Sequence, residues 1–358
     1  MSEPEFSLTT RYAVMTEEAI DRKAIEEAGE ILKRGGLVAF PTETVYGLGG
    51  DGLNPLSSKK IYAAKGRPSD NPLIIHIWRL DDLPVIAADI PESAWKLAET
   101  FWPGPLTMIF NKTEIVPHET TGGLDTVAVR FPSNKIAQEL IRAGGGFIAA
   151  PSANRAGRPS PTLAKYCRED LDGRVDMIID GGQVGIGLES TIIDLTGDHP
   201  EILRPGYITE EMLRQVLGDV RTDTALIDAN SDVRPKAPGM KYRHYAPKGE
   251  LTVVEGDAEA VVRRIDELVR EQRAAGKRTG VICTDETLAG YDADVIRSTG
   301  KRTDEASAAR ELFRILREFD DEEVDVIYSE SFSGKGIGQA IMNRLMKAAG
   351  QKIIRIEK

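Results

Sequence analysis

Cysteine and histidine are scarce in these 358 residues, and the scarcity excludes several kinds of chemistry. Cys167 and Cys283 stand far apart and outside any C-x-x-C spacing, so neither a disulfide framework nor a thiolate zinc site can be assembled from them. Both read as inert, partly buried thiols. The four histidines, His76, His118, His199 and His244, form no His-x-x-x-His or His-x-x-Glu-His pair, which argues against a dedicated transition-metal site. No uncharged apolar run is long enough to cross a bilayer, and the start "MSEPEFSLTTRYAVMTEEAIDRK" has neither a cationic n-region nor an apolar h-region, so a cytoplasmic location is expected. Solenoid-period repeats and low-complexity tracts are missing. So are a G-x-x-x-x-G-K-[ST] phosphate loop, a Ser-His-Asp order and a paired-carboxylate site. A formal net charge of -11 disfavours broad, sequence-independent grip on nucleic acid, while leaving room for a local basic patch.

What is present suggests two domains, each with its own core. Residues 17–34, "EEAIDRKAIEEAGEILKR", carry Ile20, Ala24, Ala28, Ile31 and Leu32 at helical spacing, with Gly35-Gly36 as the stop, and predict an amphipathic helix packed on a sheet. Short apolar strands alternate with helical patterns up to residue 217. Hydrophobic periodicity is then lost over 218–250, where Pro, Lys, Arg and Tyr accumulate as in an interdomain linker. Beyond it, "LTVVEG", "GVICT", "DVIRS" and "VDVIYSE" alternate with three helical stretches, which predicts a parallel, doubly wound sheet over 251–358.

Three segments of the first half share one pattern: "LVAFPTET", "VAVRFPSN" and "FIAAPSAN" each place a proline and small polar residues after an apolar run. Proline marks a strand's exit, and the three together predict a polar crevice at the carboxyl ends of buried strands. In "AAKGRPSDNPL", Pro68 restricts Arg67 to extended geometry; if Lys65 shares it, the two cations point to one side and can hold two oxygens of a phosphate or bicarbonate. Read alone, the same letters make a solvated basic turn. "PSANRAGRPSPT" offers hydroxyl, amide and backbone N–H groups that can ring an anion, or else a loop closed by its own side chains. "GGQVGIGLESTIIDL" brings a Gly-rich approach to Ser190 and Thr191, either for a ligand or for a hairpin. "SFSGKGIGQA" lacks the G-x-G-x-x-G spacing and reads as the loop that opens a helix. Chemistry on such a surface rests on cations and hydrogen-bond donors around charged substrates, as in phosphoryl and nucleotidyl transfer.

Taken together, "PTETVYGLG", "KGRP…NPLIIHI", "PSAN", "ESTIIDL…ILRPG" and "PGMKYRHYAP" resemble the threonylcarbamoyl-AMP synthases, the YrdC-like family in its long form, over essentially the whole chain. The resemblance implies a twisted YrdC-like α/β domain with a ligand crevice over 1–217, a linker over 218–250 that folds over the site, and a Rossmann-like parallel-sheet domain over 251–358. It implies a nucleotidyltransferase that joins L-threonine, bicarbonate and ATP into L-threonylcarbamoyl-AMP, with Mg2+ accompanying ATP. A downstream transferase would then use the product to modify the tRNA adenosine next to the anticodon.

By the same resemblance Lys65, Arg67, Ser152 and Asn154 match the family's signature tetrad. Thr44, His76, Arg130, Ala150 (through its backbone) and Ser190 would surround threonine. Arg67, Asn71, Thr126, Ser152, Ser160 and Arg204 would contact ATP, joined by Arg243, His244 or Tyr245 from the linker. Two rival readings are a double-stranded RNA-binding module and a carbamoyl transferase of hydrogenase maturation. The second should carry zinc-finger cysteines that this chain lacks.

Overall fold

A computed structural model describes residues 8–222 and 244–356. The chain divides into two compact units: Met1–Ala156, Ser160–Gly185 and Glu189–Tyr242 form one, and Gly157–Pro159, Ile186–Leu188 and Arg243–Lys358 the other. Most of the expected 218–250 linker, including Arg243, lies outside the described residues.

In the first unit the strands are β1 (Arg11–Val14), β2 (Val38–Phe40), β3 (Gly47–Asp51), β4 (Ile74–His76), β5 (Ala87–Ala88), β6 (Leu106–Lys112), β7 (Thr126–Arg130), β8 (Ile148–Ala149), β9 (Met177–Asp180), β10 (Thr191–Asp194), β11 (Glu201–Arg204) and β12 (Arg221–Thr222). They join one sheet in the order β1-β9-β2-β3-β8-β4-β7-β6-β10-β11-β12, with β5 paired to β6. The helices are α1 (Arg22–Lys33), α2 (Pro55–Lys65), α3 (Leu83–Ile86), α4 (Glu92–Phe101), α5 (Lys135–Ala143), α6 (Ala164–Leu171) and α7 (Glu210–Leu217).

Helix α1 starts later than its apolar periodicity suggests, because the Asp21 side chain accepts from the Ala24 N–H at 3.0 Å and sets the N-cap there. Its buried Ile25, Ala28, Ile31 and Leu32 meet Ile136, Ala137, Leu140 and Ile141 of α5 over Val38 and Phe40 of the sheet. Helix α2 follows the ordinary rules at both ends. Asn54 caps it, Pro55 takes the first turn, and Gly66 leaves it in the left-handed region at φ 62°.

The sheet is mixed. β3 is antiparallel to both β2 and β8, β8 is antiparallel to β4, and β4 is parallel to β7. Strand β7 therefore runs opposite to β2 and β8, and the three proline exits do not share one sheet edge. The second of them is a helix start: Asn134 accepts from the Ala137 N–H at 3.0 Å and caps α5.

Alternation divides the sheet into two faces. Ile75, Leu106, Met108, Phe110, Val127, Val129, Ile193 and Ile202 face α4 and α7, packing on Leu97, Ala98 and Leu213. Ile74, Ile109, Ala128 and Ile192 lie on the other face with Leu203. That second face carries the polar residues described below.

The second unit holds β13 (Glu250–Glu255), β14 (Thr279–Cys283), β15 (Val295–Ser298), β16 (Val326–Glu330) and β17 (Ile353–Arg355), all parallel in the order β15-β14-β16-β13-β17. Helices α8 (Ala258–Ala274), α9 (Glu305–Asp321) and α10 (Gly336–Ala348) supply the crossovers. This is the expected Rossmann-like sheet, with β17 in addition. The glycine-rich "SFSGKGIGQA" opens α10, and the Gly338 N–H donates to Glu305 Oε2 at 2.9 Å. A carboxylate of the protein thus sits where a phosphate would have to bind.

Gly29 shows how closely α1 and α5 approach, since a Cβ there would stand 2.7 Å from the Cβ, carbonyl carbon and oxygen of Ala143. Gly29→Ala should therefore destabilise by about 1–3 kcal/mol through overpacking, although alanine is the better helix former. A lower urea midpoint with an unchanged m-value is the expected outcome, and an unchanged or higher midpoint would contradict this packing.

Candidate active site

Strand pairing builds the site. Ile148, His76, Arg130, Thr107, Ile192 and Arg204 lie opposite one another in a single row across β8, β4, β7, β6, β10 and β11. Residues directly opposite in a sheet point to the same face, so an imidazole, two guanidiniums and a hydroxyl emerge together. Thr126 shares the face with Ala128 and Arg130 by alternation along β7.

Arg204 reaches that face through an irregularity. Ile193 pairs with Ile202 but Ile192 pairs with Arg204, a register shift of one residue. Strict alternation from Ile202, which faces α4 and α7, would send the Arg204 side chain into the apolar core. The bulge turns it onto the polar face instead. There Arg204 Nε donates to Ser190 O at 3.0 Å and Nη2 to Ser190 Oγ at 3.1 Å, while the hydroxyls of Ser190 and Thr107 stand 2.7 Å apart.

Arg130 is buried and distributes its donors in three directions. Nε points to Gly104 O at 3.4 Å, Nη1 donates to Thr44 Oγ1 at 2.9 Å, and Nη2 meets Glu43 Oε1 at 2.6 Å. The Thr44 hydroxyl lies 2.9 Å from Thr42 Oγ1, which donates to Val45 O at 2.7 Å. A directional chain of hydrogen bonds thereby ties loop 42–45 to the end of β7.

His76 is fully buried beside Arg130. Burial first, and then the Arg130 charge, push its pKa down to about 3, so the ring is neutral throughout the physiological range. Nδ1 faces the carbonyl of Ile74 at 3.2 Å, and a carbonyl can only accept, so the tautomer with the proton on Nδ1 satisfies this contact; the backbone of Ile148 lies against the ring as well.

The Lys65-Arg67 pair differs from its expected form. Lys65 is the last residue of α2, and the left-handed Gly66 turns the chain before Arg67, so the two side chains diverge. Pro68 constrains Arg67 but has no hold on a residue inside a hydrogen-bonded helix. Buried Lys65 Nζ donates to Ser152 O, to Asn154 O at 2.6 Å and, at 3.5 Å, to Asn154 Oδ1. Asn154 Nδ2 donates to Arg155 O at 2.8 Å, and the Ala156 N–H returns to Lys65 O at 2.8 Å. Three members of the tetrad are thus one scaffold around loop 151–156. Arg67 instead donates to Asn71 O at 3.2 Å and Pro72 O at 3.1 Å.

Asn71 is buried, and its Oδ1 has no hydrogen-bond partner among the described residues. The Ala150 N–H is taken by Ile74 O at 2.9 Å, so only its carbonyl is open to a ligand's donor. Ser160 Oγ donates to Glu189 Oε1 at 2.6 Å. His244 and Tyr245 belong to the second unit, where the Tyr245 ring packs on Phe313 at 5.0 Å.

Two residues of this face escaped the sequence reading. Thr107 is a polar interruption in the apolar run "LTMIF", which was a usable signal. Glu43 stands inside "PTETVYGLG", where nothing local distinguishes it from a turn carboxylate.

Residues 30–206 match a protein family described as "Telomere recombination", and residues 208–350 match the family "Threonylcarbamoyl-AMP synthase, C-terminal domain". The threonylcarbamoyl-AMP synthase of Pyrococcus abyssi is 50% identical over 95% of this chain and 98% of its own length. That of Bacillus subtilis is 48% identical over 92% and 94%. The crystal structure of P. abyssi Sua5 complexed with L-threonine is 48% identical and covers 97% of this chain and 100% of its own, with a TM-score of 0.92.

The buried neutral His76 makes stability depend on pH. The unfolded chain binds the imidazole proton below about pH 6.5, whereas the folded protein resists it until about pH 3. Its contribution is therefore fully present above pH 6.5 and is lost as pH falls toward 3, by roughly 1.4 kcal/mol per unit. In urea titrations from pH 7 to pH 4, the stability gap between the native protein and His76→Gln should narrow with acidification. A gap independent of pH would show that His76 is not held neutral.

Proposed function

The chain belongs to the threonylcarbamoyl-AMP synthase family, and from that premise we propose that its polar sheet face makes L-threonylcarbamoyl-AMP and pyrophosphate from L-threonine, bicarbonate and ATP. The observation that carries this reading is the register row, which presents Arg130 and Arg204 on one face around a neutral His76. Two fixed guanidiniums suit a carboxylate and a phosphate, and a neutral imidazole adds a hydrogen-bond acceptor without a third charge.

Arg130 and Thr44 take the threonine carboxylate, and His76 Nε2 accepts from the threonine hydroxyl. Ser190, held by Arg204 and Thr107, closes the far side of the amino acid. Arg67, Asn71, Thr126, Ser160 and Arg204 face ATP, with Asn71 Oδ1 accepting from a nucleotide donor. Lys65 acts through Ser152 and Asn154, keeping their loop in place while its charge offsets repulsion between anions.

Threonine's neutral amine and bicarbonate give a carbamate and water. A carbamate oxygen then attacks the α-phosphorus, and the bond to the β-phosphate oxygen breaks to release pyrophosphate. Among the described residues no group of three or more His, Cys, Asp or Glu side chains gathers to hold a metal. Mg2+ enters as part of the MgATP substrate, keeping phosphate and water ligands. By family resemblance, a second enzyme would transfer the threonylcarbamoyl group from this product to tRNA. No described helix is long and apolar enough to cross a membrane.

The test is pyrophosphate release from MgATP and bicarbonate with single amino acids. Release should require L-threonine, and a preference for another amino acid would overturn the substrate assignment. Arg130→Lys should lower kcat/KM for threonine by about 30- to 150-fold, as expected for roughly 2–3 kcal/mol of lost charge-assisted hydrogen bonding, and should leave the KM for ATP within about threefold.

A further inference from the structure

We propose that Glu43 holds the α-ammonium group of the amino-acid substrate and accepts its proton; this rests on the assignment of an amino acid to the Arg130 site. Glu43 and Arg130 form a buried ion pair, with side chains 12% and 5% exposed and Oε1 2.6 Å from Nη2. The second carboxylate oxygen, Oε2, is buried and has no hydrogen-bond partner among the described residues. A buried carboxylate oxygen without a donor is destabilising, because it has given up water and gained no hydrogen bond. A donor brought in by a ligand would satisfy it, directly beside the Arg130 guanidinium.

The chemistry of that donor follows from its neighbour. Of the five N–H groups of Arg130, three are directed at Gly104 O, Thr44 Oγ1 and Glu43 Oε1. Cation and anion thus lie side by side, each with unused capacity. An α-amino acid carries the complementary pair, a carboxylate and an ammonium on one carbon. Arg130 takes the first and Glu43 Oε2 the second, head to tail.

The same contact supplies the proton transfer that carbamate formation needs. Burial and the Arg130 charge disfavour the ammonium form, against the Glu43 carboxylate, which favours it until the proton is transferred. One ammonium N–H bond breaks with its electron pair left on nitrogen, and the proton goes to Glu43 Oε2. The amine nitrogen then bonds to the bicarbonate carbon, water departs, and the released water carries the Glu43 proton to solvent.

Glu43→Gln keeps the shape but replaces the acceptor with an amide that can present a donor. Threonine-dependent kcat/KM at pH 7.5 should fall at least 100-fold and recover as pH rises, levelling off above the pKa of the threonine ammonium, as free amine accumulates in solution. Inhibition by 2,3-dihydroxybutyrate, which retains the carboxylate and β-hydroxyl but has no amine, should stay within threefold of the native protein. Equal weakening of threonine and this analogue would mean that Glu43 only orients Arg130, and no change in either would place it outside the site; both outcomes overturn the proposal. If Glu43→Gln does not fold, as judged by thermal melting, the same comparison applies to Glu43→Asp, which keeps the acceptor at shorter reach and should lose threonine activity while preserving analogue binding. Absence of threonine-dependent release by the native protein would instead refute the functional reading itself.

Discussion

Arg130 is a permanent cation with almost no access to water, and the arrangement around it follows from that. A buried guanidinium must be surrounded by acceptors, because leaving it unpaired costs several kcal/mol. Gly104 O, Thr44 and Glu43 provide them from two loops far apart in sequence, so satisfying one charge also fixes the position of both loops. The charge acts on His76 as well, adding to burial in keeping the imidazole neutral. One residue at the end of β7 thereby fixes a loop conformation, reinforces a protonation state set first by burial, and contributes to the polarity of the site face.

The sheet supplies the rigidity this requires. Functional side chains on strands are placed by backbone hydrogen bonds that reach across the sheet, and their spacing does not rely on loop conformation. Arg204 is the instructive case. A single register shift between β10 and β11 decides whether a guanidinium points into an apolar core or onto the polar face. The shift also secures Ser190, whose carbonyl and hydroxyl both receive Arg204 donors.

Lys65 illustrates a charge whose visible work is structural. Its ammonium is committed to two backbone carbonyls and an amide of the loop that carries Ser152 and Asn154. A cation near the reacting anions need not touch them to matter, since in a low-dielectric setting its field reaches across a few ångströms. Arg67, directed by Gly66 to a different turn, donates there to the carbonyls of Asn71 and Pro72.

Local rules accounted for what could be read without coordinates. The apolar stripe of α1 follows from its helical spacing, the parallel second unit from strand-helix alternation, and the family from motifs in order along the chain. Each depends on residues within a few positions of one another. The parts that went differently depend on distant pairings: the reversed direction of β7, the register row that joins His76 to Arg130 and Thr107, the bulge at Arg204, and the unpartnered oxygen of Glu43. Residue types and their local turns were determined by the sequence itself. Which charges share a face was decided by tertiary structure, because hydrogen-bond register between strands far apart in the chain sets side-chain direction and no local propensity encodes it.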